Sequence, residues 1–300
     1  MKIPRFLFRL TVAFLTVVTL HTSTVNIANS QTKKAFLWSL ESANNTIYIL
    51  GSMHALKPTD YPLPQTVNQV FAEAEHLVFE IDLNKSDDPR TAQIVEQKAL
   101  PDAPNESLKN ALDQNTYKLA EQQVQQLGLP IQVFDDFEPW FLYLTLGGVD
   151  MAKSGYSSAY GIDRYLFEAG MNSDKEISVL ETIEQQLDIF DKMPVSTQAK
   201  LLRQTIAEAQ TSESELDVLA EAWKSGNVNK LNNLLLESFR AYPELQKILL
   251  VDRNKNWVQQ IKPLINQSDD YLIVVGAAHL VGKDSLIELM QKEGYQLKQL

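Results

Sequence analysis

The segment YILGSMH, Tyr48–His54, is an apolar run that ends at a glycine and places a histidine three residues further on. The same arrangement returns near the other end of the chain as LIVVGAAH, Leu272–His279. The chain contains 4 histidines, so half of them stand in this repeated G-x-x-H context. Ligands of parallel sheets bind at the carboxyl ends of the strands, where such loops begin. The repeat therefore predicts that both histidines face one site at the mouth of a sheet.

The other apolar runs predict an α/β fold with a mainly parallel central sheet and helical insertions. Short strands alternate with helical patterns, which is typical of strand–helix–strand units. The predicted strands are Ala35–Leu40 at the sheet edge, Thr46–Leu50, Leu77–Asp82, Ile177–Glu181, a strand starting at Tyr271, and Tyr295–Leu300. Helical insertions are expected at about 87–170 and 183–265, within a single α/β domain of residues 31–300.

The first thirty residues predict a secretory signal peptide. A basic start is followed by the apolar stretch Leu10–Leu20 and by small residues at Ala28–Ser30, so cleavage is expected after about Ser30. An uncleaved membrane anchor is the alternative. No later segment is long and apolar enough to span a bilayer. We expect an exported protein, periplasmic or extracellular, with no stable membrane insertion after cleavage.

Charge and cysteine usage restrict the partners. Removal of residues 1–30 leaves 24 of the 27 basic residues and all 38 acidic ones, so the mature chain carries about −14. Because a negative protein repels phosphate backbones, nucleic acid is not an expected partner. The chain has no cysteine, which excludes disulfides and lipid attachment through a thiol. A peptide or other small substrate is expected, and the oligomeric state is left open.

Ionisable residues follow each predicted inner strand. His54 and His279 follow the two glycines, while Glu80 and Glu181 stand at the ends of two further strands. Imidazole and carboxylate together suit a divalent transition metal, so His54, Glu80 and His279 are the candidate metal ligands. A carboxylate that does not bind the metal, such as that of Glu181, is then a candidate general base. Without metal, a histidine paired with a glutamate can itself activate water.

Structural roles for the same residues remain open at this point. Strand alternation allows Glu80 to lie on a solvated face, and Glu181 precedes a helix, where capping explains an acidic residue. The segment Asp252–Asn254 lies in a helical run and predicts an ordinary solvated face. The residues alone give it no function.

Taken together, the motifs resemble the TraB/PrgY/GumN family, whose animal relatives include the Tiki proteases. The resemblance runs from about Phe36 to Leu300 and rests on these matches: Gly51–His54 with the proline-rich Tyr61–Pro64, Glu80–Asp82, Gly161–Asp163, Leu180–Thr182 with Gln186–Leu187, Arg253–Asn254 with Trp257, and Val275–Gly282. It implies a fold shared with erythromycin-esterase-like enzymes and the haem-binding ChaN-like lipoproteins. It also implies metal-dependent proteolysis that favours Mn or Co, with Zn as a further candidate. Arg253 becomes a candidate for binding a substrate carboxylate or transition-state charge.

Three functions follow as hypotheses. The first is an exported metal-dependent hydrolase, most simply a peptidase, with metal on His54, Glu80 and His279 and with Glu80, Glu181 and Arg253 as catalytic candidates. The second is a non-catalytic protein that binds haem, metal or peptide in the same cleft. The third is a metal-free, esterase-like hydrolase in which His54 works with Glu80 or Glu181.

Overall fold

A six-stranded mixed sheet organises the chain. The computed structural model describes residues 34–86, 88–208, 213–237, 239–240 and 242–300, so the predicted signal peptide lies outside the described residues. The strands are β1 Leu37–Glu41, β2 Thr46–Ser52, β3 His76–Phe79, β4 Glu176–Val179, β5 Tyr271–Gly276 and β6 Lys298–Gln299. Their order is β4-β3-β5-β2-β1-β6. The pairs β4–β3, β3–β5 and β5–β2 are parallel, and β1 pairs antiparallel with both β2 and β6.

Helices fill the connections, as the predicted insertions require. The α-helices are α1 Gln65–Glu73, α2 Leu83–Ser86, α3 Pro89–Ala99, α4 Leu108–Ala111, α5 Gln114–Gln125, α6 Pro139–Lys153, α7 Ile162–Met171, α8 Ile183–Asp191, α9 Val195–Glu208, α10 Glu213–Lys224, α11 Val228–Glu237, α12 Pro243–Gln246, α13 Asp252–Ile261 and α14 Leu286–Lys292. A π-helical turn, Lys247–Val251, leads into α13. The α/β class with a mostly parallel sheet and helical insertions is confirmed.

The residues divide into two compact units. A helical unit comprises Leu83–Ser158 and Glu181–Glu215, and a sheet unit comprises the described residues up to Asp82 with Ala159–Leu180 and Leu216–Leu300. All six strands lie in the sheet unit. None of the helices in the described ranges has the length and apolar character needed to cross a membrane.

Strand β5 forms the centre of the sheet unit. All of its residues, Tyr271–Gly276, are buried, because a parallel strand covered on both faces excludes water along its whole length. Its neighbour β2 is fixed at its end by Trp223, whose indole Nε1 donates to the carbonyl oxygen of Gly51 at 2.5 Å. Trp223 is only 1% exposed, so this bond is shielded from water.

Three strand predictions need correction. The first strand, predicted as an edge, is paired on both sides, because the short β6 adds to β1 and becomes the edge itself. At the other side β4, grouped with the inner strands in the prediction, is the second edge. The predicted strand Leu77–Asp82 ends already at Phe79, so Glu80 and Asp82 lie beyond the strand. The predicted parallel orientation of β2 and β3 is confirmed, although β5 lies between them.

Candidate active site

Three strand ends meet at one edge of the sheet unit. In the register of β2 with β5, Ser52 is opposite Gly276, and in the register of β3 with β5, Phe79 is opposite Val274. The residues that follow these ends therefore emerge side by side. His54 follows β2, Glu80 follows β3, and His279 lies in a 3-10 turn after β5. The sheet thus brings together three residues that the sequence places far apart.

Glu80 is a buried, ionised carboxylate. It is 8% exposed, which contradicts the solvated alternative. Its Oε1 accepts the backbone N–H of Gly276 at 2.6 Å, and its Oε2 accepts Nη2 of Arg253 at 2.6 Å. Burial raises the pKa of Glu80, but the charge of Arg253, that of His279 once it is protonated at low pH, the charge of His54 and the Gly276 hydrogen bond outweigh it and lower the pKa to about 2.

His279 is a buried, neutral imidazole. It is 3% exposed, and its Nδ1 lies 2.7 Å from Oδ1 of Asn254 while its Nε2 lies 3.0 Å from Nη1 of Arg253. Arginine only donates, so Nε2 must accept and Nδ1 carries the hydrogen. Burial and then the charge of Arg253 lower the pKa of His279 to about 3, against the opposing charge of Glu80.

His54 has the opposite environment, although it stands in the same sequence motif. Its side chain is 42% exposed, and its Nδ1 lies 3.2 Å from Oδ2 of Asp163. Burial lowers the pKa of His54, but the charge and hydrogen bond of Asp163, with the charge of Glu80, raise it to about 9. The two histidines are therefore held in different protonation states at neutral pH.

The start of α7 sets the position of Asp163. The backbone N–H of Ile162 donates to the carbonyl oxygen of Met53 at 3.0 Å, which joins α7 to the loop that carries His54. A Cβ on Gly161 would lie 2.5 Å from the carbonyl oxygen of His54, so only glycine permits this approach. The sequence Gly161–Asp163 thus places the carboxylate of Asp163 beside His54.

Gly276 allows His54 and Glu80 to approach the same point. A Cβ at this position would lie 3.0 Å from Nε2 of His54 and 3.3 Å from Oε1 of Glu80. Both distances are shorter than ordinary van der Waals contact. The glycine of the second G-x-x-H motif therefore leaves room for both the carboxylate and the imidazole where a side chain would otherwise stand.

Arg253 joins the buried residues into one network. It lies in the first turn of α13 with its side chain 12% exposed, and its Nη1 also donates to the carbonyl oxygen of Leu249 at 3.1 Å. The guanidinium carbon lies 4.6 Å from the centre of the Trp257 ring, a cation–π contact. The predicted solvated face at Asp252–Asn254 is therefore wrong for Arg253 and for Asn254, which is 1% exposed.

Two contributors were missed from the residues alone. From the sequence, Asp163 is predicted only as part of a helix start, and Asn254 only as part of the Arg253–Asn254 motif. For Asp163 the sequence holds one signal, a glycine directly before a helix, which permits close backbone approach. For Asn254 the sequence DRNKN holds no such signal. Glu181 stands one residue after Leu180, half-buried and at the start of a segment of the helical unit. Its catalytic role stays a prediction.

The predicted metal ligands do not form a prepared metal site. Among the residues that the structure describes, no group of three or more histidine or acidic side chains is arranged to hold a metal ion. The reason lies in Arg253, which is hydrogen-bonded to Nε2 of His279 and to Oε2 of Glu80. The imidazole has one lone pair, and the guanidinium N–H uses it. The donor set as folded does not fit a divalent cation.

The fold and this polar centre define an α/β protein whose candidate site lies at the carboxyl ends of parallel strands. The chain belongs to the TraB/PrgY/gumN family, whose family model matches residues 36–299. An uncharacterized protein, YbaP of Escherichia coli (strain K12), is 24% identical, with 83% of this chain and 89% of the relative aligned. The family resemblance read from the motifs is confirmed.

Two animal relatives carry a functional description. A metalloprotease TIKI homolog from Amphimedon queenslandica is 21% identical, covering 93% of this chain and 64% of the relative. A metalloprotease TIKI homolog from Nematostella vectensis is 20% identical, covering 88% and 66%. No solved structure matches the chain.

Proposed function

We propose that this protein is a hydrolase that cleaves peptide bonds at the centre formed by His54, Glu80, Arg253 and His279. One observation carries the proposal: the imidazole of His54 and the carboxylate of Glu80 converge on Gly276, in surroundings that raise the pKa of the first and lower the pKa of the second. Pairs of titratable groups whose pKa values are pushed apart by their surroundings are typical of acid–base catalysis. The peptide substrate is supported by the relatives described as metalloproteases.

In this proposal Glu80 and His54 move the protons. Glu80 orients a water molecule and takes its proton as the water oxygen attacks the acyl carbon. Protonated His54 then gives its Nε2 proton to the leaving amine, while Asp163 holds Nδ1. The proton on Glu80 returns to His54 and restores the starting state.

Arg253 and His279 hold Glu80 in place for this chemistry. A guanidinium N–H of Arg253 and the backbone N–H of Gly276 each bind one oxygen of the Glu80 carboxylate, which fixes the carboxylate and stabilises its charge. His279 is neutral and bonded through both ring nitrogens, which makes it a support for Arg253 in this arrangement. The geometry therefore favours the metal-free hydrolase among the three hypotheses.

A metal-dependent peptidase is the second candidate, supported by the description of the TIKI homologs. It assigns Mn, Co or Zn to His54, Glu80 and His279 and the general base to Glu181. This candidate requires Arg253 to break its hydrogen bonds to Nε2 of His279 and Oε2 of Glu80, so that both atoms can bind the metal. Chelation separates the two candidates: activity that survives EDTA supports the first, and activity lost in EDTA and restored by Mn²⁺ or Co²⁺ supports the second.

The test uses a degenerate peptide mixture whose cleavage is followed by mass spectrometry. The parent protein is compared with His54→Ala, Glu80→Gln and, as a matched control, His76→Ala, because His76 is bonded to Asp269 in the same unit. We expect cleavage to be lost in the first two and kept in the control. Folded variants of His54 and Glu80 with full activity would overturn the catalytic assignment. A parent that cleaves no peptide would overturn the peptidase proposal.

Export is proposed on the sequence of residues 1–30 alone. The expected result is a mature chain that starts at about residue 31 in the periplasmic or extracellular fraction. N-terminal sequencing of the fractionated protein tests it. A full-length chain found in the cytosol would refute it.

A further inference from the structure

The guanidinium of Arg253 occupies the position where a metal would have to bind. Nη2 lies 2.6 Å from Oε2 of Glu80, and Nη1 lies 3.0 Å from Nε2 of His279. These two acceptors belong to the residues that the motif predicts as ligands. A cation bound to both would therefore compete with a charge that is already in contact with both.

The guanidinium is held by more than its two acceptors in the centre. Nη1 also donates to the carbonyl oxygen of Leu249, in the π-helical turn before α13. The ring of Trp257, one helical turn later, lies 4.6 Å from the guanidinium carbon. Arginine keeps its charge at every accessible pH, so deprotonation cannot release these contacts. Arg253 is thus anchored from its own helix as well as from the sheet.

The hydrogen bonds of Asn254 fix the tautomer of His279. Nδ2 of Asn254 donates to the carbonyl oxygen of Asp284 at 3.0 Å, which identifies Oδ1 as the side of the amide that faces the imidazole. Nδ1 of His279 must then donate to Oδ1, at 2.7 Å. The single lone pair of the ring consequently lies on Nε2 and is directed at Arg253. Asn254 and Arg253, neighbours in the chain, hold the two nitrogens of one imidazole.

We infer that Arg253 is the resident cation of this centre and takes the place of a divalent metal, so that the folded site binds Mn²⁺, Co²⁺ or Zn²⁺ only when the guanidinium is removed. Arg253 neutralises the charge of Glu80 and polarises the ring of His279. A bound metal cation would have the same two effects on these atoms. A metal added beside it would bring two charges of the same sign into contact range. The inference concerns binding only and does not depend on the proposed hydrolase activity.

Calorimetric titration of the full, chelator-treated protein with each of the three metals tests this inference. The variant Arg253→Met removes the guanidinium and keeps an apolar stem. Arg90→Met is the matched control, because Arg90 is an exposed arginine that pairs with its neighbour Asp88. We expect no stoichiometric binding in the parent or the control. Arg253→Met should gain one site, and the added change His279→Ala should remove it.

Two results would overturn the inference. One is a parent protein that binds one equivalent of metal and loses it in His279→Ala. The other is a folded Arg253→Met variant that binds no more metal than the parent. If that variant does not fold, the visible absorption of Co²⁺ added to the parent decides. Absence of ligand-field bands supports the inference, and bands abolished by His279→Ala overturn it.

Discussion

Asp163→Asn should lower the pKa of His54 while leaving the fold intact. The substitution keeps the shape of the side chain and removes the negative charge, whose Oδ2 lies 3.2 Å from Nδ1 of His54. The charge and hydrogen bond of Asp163 are the main forces that raise the pKa of His54 from 6.5 to about 9, against the effect of burial. Because the imidazole is 42% exposed, solvent screens this interaction strongly.

The size of the change follows from the distance. A surface ion pair is worth about 1 kcal/mol, which corresponds to about 0.7 of a pKa unit. Coulomb's law at the observed 3.2 Å, with an effective dielectric constant of about 40, gives about 2.6 kcal/mol, or about 2 units. The pKa of His54 in Asp163→Asn should therefore fall by between about 0.7 and about 2 units.

Imidazole ¹⁵N–¹H correlation spectra of histidine-labelled protein measure this pKa directly, because each of the few histidines gives its own pattern. Asp269→Asn is the matched control, since Asp269 pairs with a different histidine, His76, at 3.1 Å. The control should leave the titration of His54 unchanged. A titration of His54 that is equally unchanged in Asp163→Asn would refute the assignment of Asp163. With a substrate in hand, the alkaline limb of the pH–rate profile should move to lower pH by the same amount.

Two further predictions concern Gly276 and the helical unit. Gly276→Ala places a methyl group 3.0 Å from His54 and 3.3 Å from Glu80, so kcat should fall by about 10-fold or more, and parental kinetics in the folded variant would contradict this. In the helical unit, burial raises the pKa of Glu138 to about 7, although the hydrogen bond from Gln198 opposes this. The folded state then holds that proton longer than the unfolded chain, so its stabilising effect is lost as the pH rises from about 4.5 to about 7. Glu138→Gln should remove this loss and exceed the parent in free energy of unfolding above about pH 7 by up to about 3 kcal/mol, and urea unfolding curves with parallel pH dependence would contradict it.

The sequence predicts the fully buried central strand correctly. It misplaces the strands at the two edges of the sheet, where the pairing is short or depends on the strand order. Strand β5 has a continuous apolar run, and such runs mark central parallel strands. The position of β1 inside the sheet depends on β6, whose pairing involves only Lys298 and Gln299. Two polar residues carry no periodic signal, so local pattern could not show that they cover β1. The edge position of β4 likewise depends on long-range strand order.

Some residues of the candidate site can likewise be grouped from the sequence, and others cannot. His54, Glu80 and His279 could be grouped from the sequence because strand ends in a parallel sheet share one edge, which is a rule of topology. Arg253 and Asn254 could not, since a helix with the sequence DRNKN carries the composition of a solvated surface. Only the contacts of α13 with Glu80 and His279, beyond the strand ends, show that these side chains point inward. Asp163 depends in turn on which helix start meets which loop.

The repeated G-x-x-H motif shows why similar sequence does not guarantee similar chemistry. Each copy delivers a histidine beyond a glycine, and the parallel register of β2 and β5 places the two glycines at nearly the same level. The chemistry then depends on neighbours from other parts of the chain. Asp163 gives His54 a negatively charged partner, and the side chain of His54 is partly exposed to solvent, so the protonated form of the ring is favoured. Arg253 gives His279 a positive partner in a buried position, so its neutral form is favoured. Two histidines that the sequence presents as equivalent metal ligands therefore differ in the structure: the surroundings of His54 favour a protonated ring that can donate a proton, and those of His279 favour a neutral ring that accepts a hydrogen bond from Arg253.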